Sequence, residues 1–171
     1  MAFERILCGI DFSEASVAAF RQAVELARLN DSQLYALHTI EAQPFVANLN
    51  GVGEMGETAV KLEEEATAAL DSFITSSVSA LALEAISLTT EVTTGRAFAE
   101  ILSHARDWSA DLIVLGDKDP ASIEQVVVGS TAERVMKDAP CSVLIVRQYL
   151  AQEPAQKPGA KPEPKKDAAR S

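Results

Sequence analysis

Apolar positions along the chain follow two periods in alternation. Residues 5–11 (RILCGID) are a short apolar run that predicts a buried strand by length and flanks. Ser13 and Glu14 then open a stretch in which Val17, Phe20, Val24 and Ala27 recur at spacings of three and four, one face of a helix. Asn30-Asp31 breaks that helix, and residues 34–40 (LYALHTI) predict a second strand. Residues 41–56 contain Pro44, Asn48, Asn50, Gly51, Gly53 and Gly56 and predict a loop. It is long for a compact domain, and such loops are usually functional or mobile. A second helix is expected from Glu57 to about Ser79, with Leu62, Ala66, Ala69, Leu70 and Phe73 on one stripe and Glu63, Glu64 and Glu65 on a solvated face. Residues 86–92 alternate as a third strand, Gly95 turns the chain, and Phe98, Ile101, Leu102, Ala105 and Trp108 mark a third helix. Residues 111–116 (DLIVLG) give a fourth strand and 117–128 a connection. Residues 130–138 give a short helix stopped by Pro140, and 141–147 (CSVLIVR) a fifth strand.

Strands and helices alternate throughout, which predicts an α/β fold: a single doubly wound, five-stranded parallel sheet with right-handed crossovers and helices on both faces. In such sheets ligands sit outside the carboxyl ends of the strands, so the tips of strands one and four are where chemistry is expected. After Arg147 the periodicity stops. Residues 148–171 are rich in Pro, Ala, Lys and Glu and are expected to form a disordered tail behind a domain spanning 1–147.

Composition narrows the functional classes. The chain is 47% hydrophobic but only 5% aromatic, so its core must rest on Val, Ile, Leu and Ala, as in sheets covered on both faces. The formal net charge of −10 is uneven: residues 148–171 sum to +2 and residues 1–147 to −12. An acidic body repels nucleic-acid phosphates, so no nucleic-acid binding is expected. No apolar stretch reaches the roughly 18–20 residues that span a bilayer, and the first residues lack a signal-peptide pattern. Cys8 and Cys141 lie in or beside apolar runs and predict two buried thiols rather than a disulfide. Together these features predict a cytoplasmic location without membrane contact. His38 and His104 have no Cys or carboxylate at ligand spacing, so no metal site is expected. His104 is expected on the exposed side of its helix.

The segment from Asp111 to Arg147 closely resembles the C-terminal signature of the universal stress protein family. That signature is a strand ending in Gly, two residues, Gly, nine residues, Gly-Ser, a helix, Ala-Pro-Cys and a last strand. Gly116, the nine residues 120–128, Gly129-Ser130 and Ala139-Pro140-Cys141 stand in register with it, and residues 6–16 resemble the family's first strand with its following Asp and Ser. The resemblance covers residues 3–147. It implies strand order 3-2-1-4-5 and a homodimer through the last strand, with Val143, Leu144, Ile145 and Val146 in the contact. The same four residues also read simply as core strand. An edge this apolar is an aggregation risk if left bare, which favours the dimer.

Some members of the family bind ATP or AMP. Carried over by position, the resemblance implies a nucleotide site built from Gly9, Ile10 and Asp11, from Thr39, from Leu115, Gly116 and position 119, and from Gly129, Ser130 and Thr131, with Mg²⁺ if the ligand is ATP. The chemistry fits in part. Glycine lets backbone approach a phosphate closely, and a helix opening at Gly129-Ser130-Thr131 favours an anion. The chain departs from the signature at Asp119, which stands where the second glycine is usual and adds a carboxylate to that of Asp117. Plainer roles run alongside. Ser130 and Glu133 have capping-box spacing, Asp11 can cap the first helix, and Gly116 and Gly129 can serve turn geometry alone.

No Walker-type loop, Gly-x-Gly-x-x-Gly fingerprint, Gly-x-Ser-x-Gly elbow or Ser-Gly-Gly loop after the first strand is present, so no enzymatic activity is expected. Two readings follow: a stress-response regulator that binds an adenine nucleotide, and a nucleotide-independent dimeric interaction protein whose site Asp119 has disabled.

Overall fold

The structure, a computed structural model, describes residues 3–41, 54–117 and 129–147, with the side chains of 54–58 excepted. The tail at 148–171, Asp119 and most of the expected 41–56 loop lie outside these residues. The elements run β1 (Arg5–Ile10), α1 (Glu14–Asn30), β2 (Gln33–Glu41), α2 (Glu54–Ser77), α3 (Ala80–Glu84), β3 (Ser87–Gly95), α4 (Ala97–Asp107), β4 (Leu112–Gly116), α5 (Ser130–Asp138) and β5 (Ser142–Val146). All strand pairs are parallel, and the order is β3-β2-β1-β4-β5, the topology expected from the sequence. No helix among the described residues is long and apolar enough to cross a membrane.

The two faces of β1 sort the core. Ile6, Cys8 and Ile10 face α1 and α2 and pack with Phe20, Leu70 and Phe73. Leu7 points the other way, toward α4 and α5, and packs with Leu37, Ile101, Leu102 and Val135. The strand is buried at five of its six positions, as a central strand covered on both sides must be. Burial leaves the Cys8 thiol fully desolvated and pushes it up to about 12, so it stays protonated and unreactive in the folded protein at neutral pH. Cys141, expected to be buried, is only partly so, because it precedes an edge strand with one neighbour.

The second helix differs from its expected form. Its apolar stripe does not run its whole length: Leu62 is 49% exposed, whereas Leu70, Phe73 and Ile74 are buried. Its C-terminal half therefore carries the packing. The helix stops at Ser77, and Ser79 accepts a hydrogen bond from the Ala82 amide to start the separate α3. His104 is also less exposed than expected. Its Nδ1 lies 2.8 Å from the Glu100 carbonyl, and its Nε2 lies 3.4 Å from Glu91 Oε1 on β3.

Candidate functional site

The turn after β1 is built around Asp11. Its Oδ1 accepts from the Ser13 amide at 3.0 Å and from the Ser13 hydroxyl at 2.5 Å. Ser13 in turn accepts from the Ser16 amide at 3.2 Å and is the N-cap of α1. The capping expected of Asp11 thus belongs to Ser13, and Asp11 braces the cap from outside the helix. Between them Phe12 has φ 63, a left-handed conformation that side chains rarely adopt. Its ring lies 4.2 Å from that of His38, and His38 Nδ1 lies 2.8 Å from the Ile10 carbonyl. A carbonyl only accepts, so Nδ1 carries the proton and ties β2 to the end of β1.

Gly116 ends β4 with no positive φ, so turn geometry is not its purpose. A Cβ there would lie 2.6 Å from the carbonyl carbon and oxygen of Ala15 and 2.9 Å from the Ser16 amide. Only glycine lets the first turn of α1 approach this closely. Gly9 meets side chains instead: its Cβ would lie 2.6 Å from Leu115 Cδ2 and 3.1 Å from Ile101 Cδ1.

On the other side of the sheet the capping box expected of Ser130 and Glu133 does not form. Gly129 occupies the cap position and Ser130 is the first helical residue, one step too far along to cap. The Ser130 side chain is therefore left at the helix entrance.

These tips enclose a cavity of about 440 Å³ at the carboxyl ends of β1, β2 and β4. Every residue expected at a nucleotide site that lies among the described residues lines it: Gly9, Ile10 and Asp11; Thr39; Leu115 and Gly116; and Gly129, Ser130 and Thr131. Asp119 lies outside the described residues. The cavity also takes in residues the sequence reading passed over, chiefly Ser13, Ser16, Leu37, Glu41, Ala97 and Ile101, together with Asp117, whose carboxylate was expected near the phosphates. Leu37 and Glu41 were accessible to reasoning, because they alternate with Thr39 on one face of a strand. Ala97 and Ile101 come from α4, whose docking no local spacing announces.

Asp117 is not the bare carboxylate that spacing suggests. Its side chain is nearly buried, and Arg147 Nε donates to its Oδ2 at 2.7 Å. The Asp117 amide also donates to the Val146 carbonyl at 2.9 Å, so the residue fastens β4 to β5. Among the described residues no three His, Cys, Asp or Glu side chains are grouped to hold a metal ion.

The strand named as a dimer contact lies at the edge of the sheet. Val143 and Ile145 pack toward α4 and α5, and Leu144 and Val146 toward α1, all partly buried. Each side chain therefore contributes to the core packing of the described residues.

The model of the Universal stress protein family matches residues 2–147. The chain belongs to that family. A universal stress protein of Methanocaldococcus jannaschii is 33% identical over 147 residues, 85% of this chain and 83% of that one. Among solved structures, the universal stress protein UspA from Lactobacillus plantarum is similar with a TM-score of 0.64 at 29% identity, covering 86% of this chain and 99% of its own. The universal stress protein from Archaeoglobus fulgidus in complex with dAMP shares the fold, with a TM-score of 0.52 at 19% identity over 85% of this chain and 99% of that one. In this member of the family the signature glycine at 116 and the pair Gly129-Ser130 both line the cavity.

Proposed function

We propose that this universal stress protein binds an adenine nucleotide in the cavity at the strand tips and acts as a dimeric, nucleotide-responsive regulator. The observation that carries the reading is convergence. Residues from four separate stretches of chain (9–11, 39, 115–116 and 129–131) wall one cavity of about 440 Å³, within the usual range for a small-molecule site. The chemistry of the wall supports it. Leu37, Ile101 and Leu115 offer apolar surface for a base, Thr39 and Asp11 offer hydrogen bonds, and α5 opens toward the cavity with its amides unpaired by a cap side chain. The dAMP complex of the Archaeoglobus fulgidus protein is consistent with such a ligand.

Calorimetric titration with AMP, and with ATP plus Mg²⁺, tests the reading once the preparation is shown to be free of carried-over nucleotide. Binding in the micromolar range is expected. No heat up to about millimolar ligand would leave the second reading, an interaction protein that works without nucleotide.

The dimer is the other part of the proposal. β5 is an apolar strand at the edge of the sheet formed by the described residues, and a second copy pairing there would cover it. Light scattering at micromolar concentration is expected to give twice the chain mass of 18.2 kDa. A monomer mass would remove the dimer and leave the nucleotide site untouched.

A further inference from the structure

The described lining of the cavity contains three carboxylates and no Lys, Arg or His. Asp11 follows β1, Glu41 ends β2 and Asp117 follows β4, so the acids ring the mouth from three strand tips. Asp117 is matched by Arg147. Asp11 is stabilised by two hydrogen bonds from Ser13, which spread its charge without cancelling it. Glu41 is exposed at the end of its strand. The two stretches that follow Glu41 and Asp117 in sequence add no net positive charge. Residues 42–53 contain no charged side chain, and residues 118–128 contain one base, Lys118, against Asp119 and Glu124.

What the cavity offers an anion is backbone. Helices α1, α4 and α5 all begin at its wall, at Ser13, Ala97 and Gly129. Each helix start carries about half a positive charge. Together they offset part of the charge that a single phosphate brings beside two carboxylates. Each further phosphate adds about one negative charge with nothing in the lining to receive it.

We infer that Asp11 and Glu41 make this cavity select by charge, taking a nucleoside monophosphate in preference to the di- and triphosphate when no divalent cation is present. The inference rests on the nucleotide reading above and adds the ligand class. For an added charge roughly 7 Å from a carboxylate near the protein surface, affinity should fall about three- to tenfold per phosphate. A bound Mg²⁺ would neutralise the excess and close the gap.

The test is a calorimetric series with adenosine, AMP, ADP and ATP on the full chain, in a chelator and at low salt. The dissociation constant is expected to rise from AMP to ATP by about tenfold or more. Raising the salt from about 0.05 to about 0.5 M should narrow that gap, because it screens a repulsion. Glu41→Gln should narrow it as well, and its melting temperature should match that of the parent because the side chain is exposed. ATP binding as tightly as AMP in chelator would overturn the inference, as would a gap indifferent to both salt and Glu41→Gln. Either result leaves the nucleotide reading standing. No binding by any of the four, with Mg²⁺ restored as well, would instead refute the nucleotide reading, and the inference with it.

Discussion

Replacing Gly116 with alanine is expected to destabilise the domain by about 2–3 kcal/mol and to lower its melting temperature by roughly 5–10 °C. The added Cβ would meet the Ala15 carbonyl group at 2.6 Å and the Ser16 amide at 2.9 Å, all backbone atoms of the first turn of α1. No rotamer change relieves such a contact, so the helix or the strand must move. Neither is free to do so. Ala15 and Ser16 are 6% and 2% exposed, and Gly116 is held in register opposite Val146. Nucleotide affinity should fall with stability, because α1 carries Ser13 and Ser16 of the cavity wall. Gly9→Ala is the informative contrast. Its new methyl meets the tips of Leu115 and Ile101, which can rotate, and it intrudes on the cavity. It should cost less stability than Gly116→Ala while still weakening binding. Denaturant unfolding of both variants checks this. A Gly116→Ala protein within about 0.5 kcal/mol of the parent would show that α1 does not sit as close as its backbone distances say.

The comparison of the two glycines shows what the sequence could and could not disclose. The motif placed Gly116 at the site, but its reason lies in a helix that begins a hundred residues earlier and so leaves no local trace. β1 was legible because five buried positions in a row leave a continuous apolar run. The place of the cavity was legible because parallel strands bring their carboxyl ends together whatever lies between them, and the family resemblance named the residues within it. The charge balance was not. Asp117 read as an obstacle to phosphate, and its partner Arg147 stands 30 residues away. Glu41 read as the start of a loop, although it continues the strand alternation of Leu37 and Thr39 onto the cavity face. Helix α3 was missed for a different reason. At five residues it is too short to show a period, and only the cap at Ser79 marks its start.

Truncating Phe20 to alanine is expected to cost about 3–5 kcal/mol, the largest single loss at any position considered. Phe20 is fully buried between α1 and the sheet, and its ring lies 5.9 Å from that of Phe73. Alanine at this site leaves a void in the middle of a closely packed core, which the surrounding structure fills only in part. Such a loss is a large share of the roughly 5–15 kcal/mol that holds a domain of this kind folded. Phe12 provides the control, since it touches the same Phe73 ring at 5.7 Å but is 38% exposed and holds φ 63. Phe12→Gly gives up its ring contacts yet relieves about 1 kcal/mol of left-handed strain, so its net cost should stay near 1 kcal/mol. The two substitutions each remove a phenyl ring that neighbours Phe73, and chemical denaturation should separate them by at least about 2 kcal/mol. Equal losses would mean that Phe12 is held as firmly as the core. The turn carrying Asp11 into the cavity would then be part of the core rather than a strained connection laid over it.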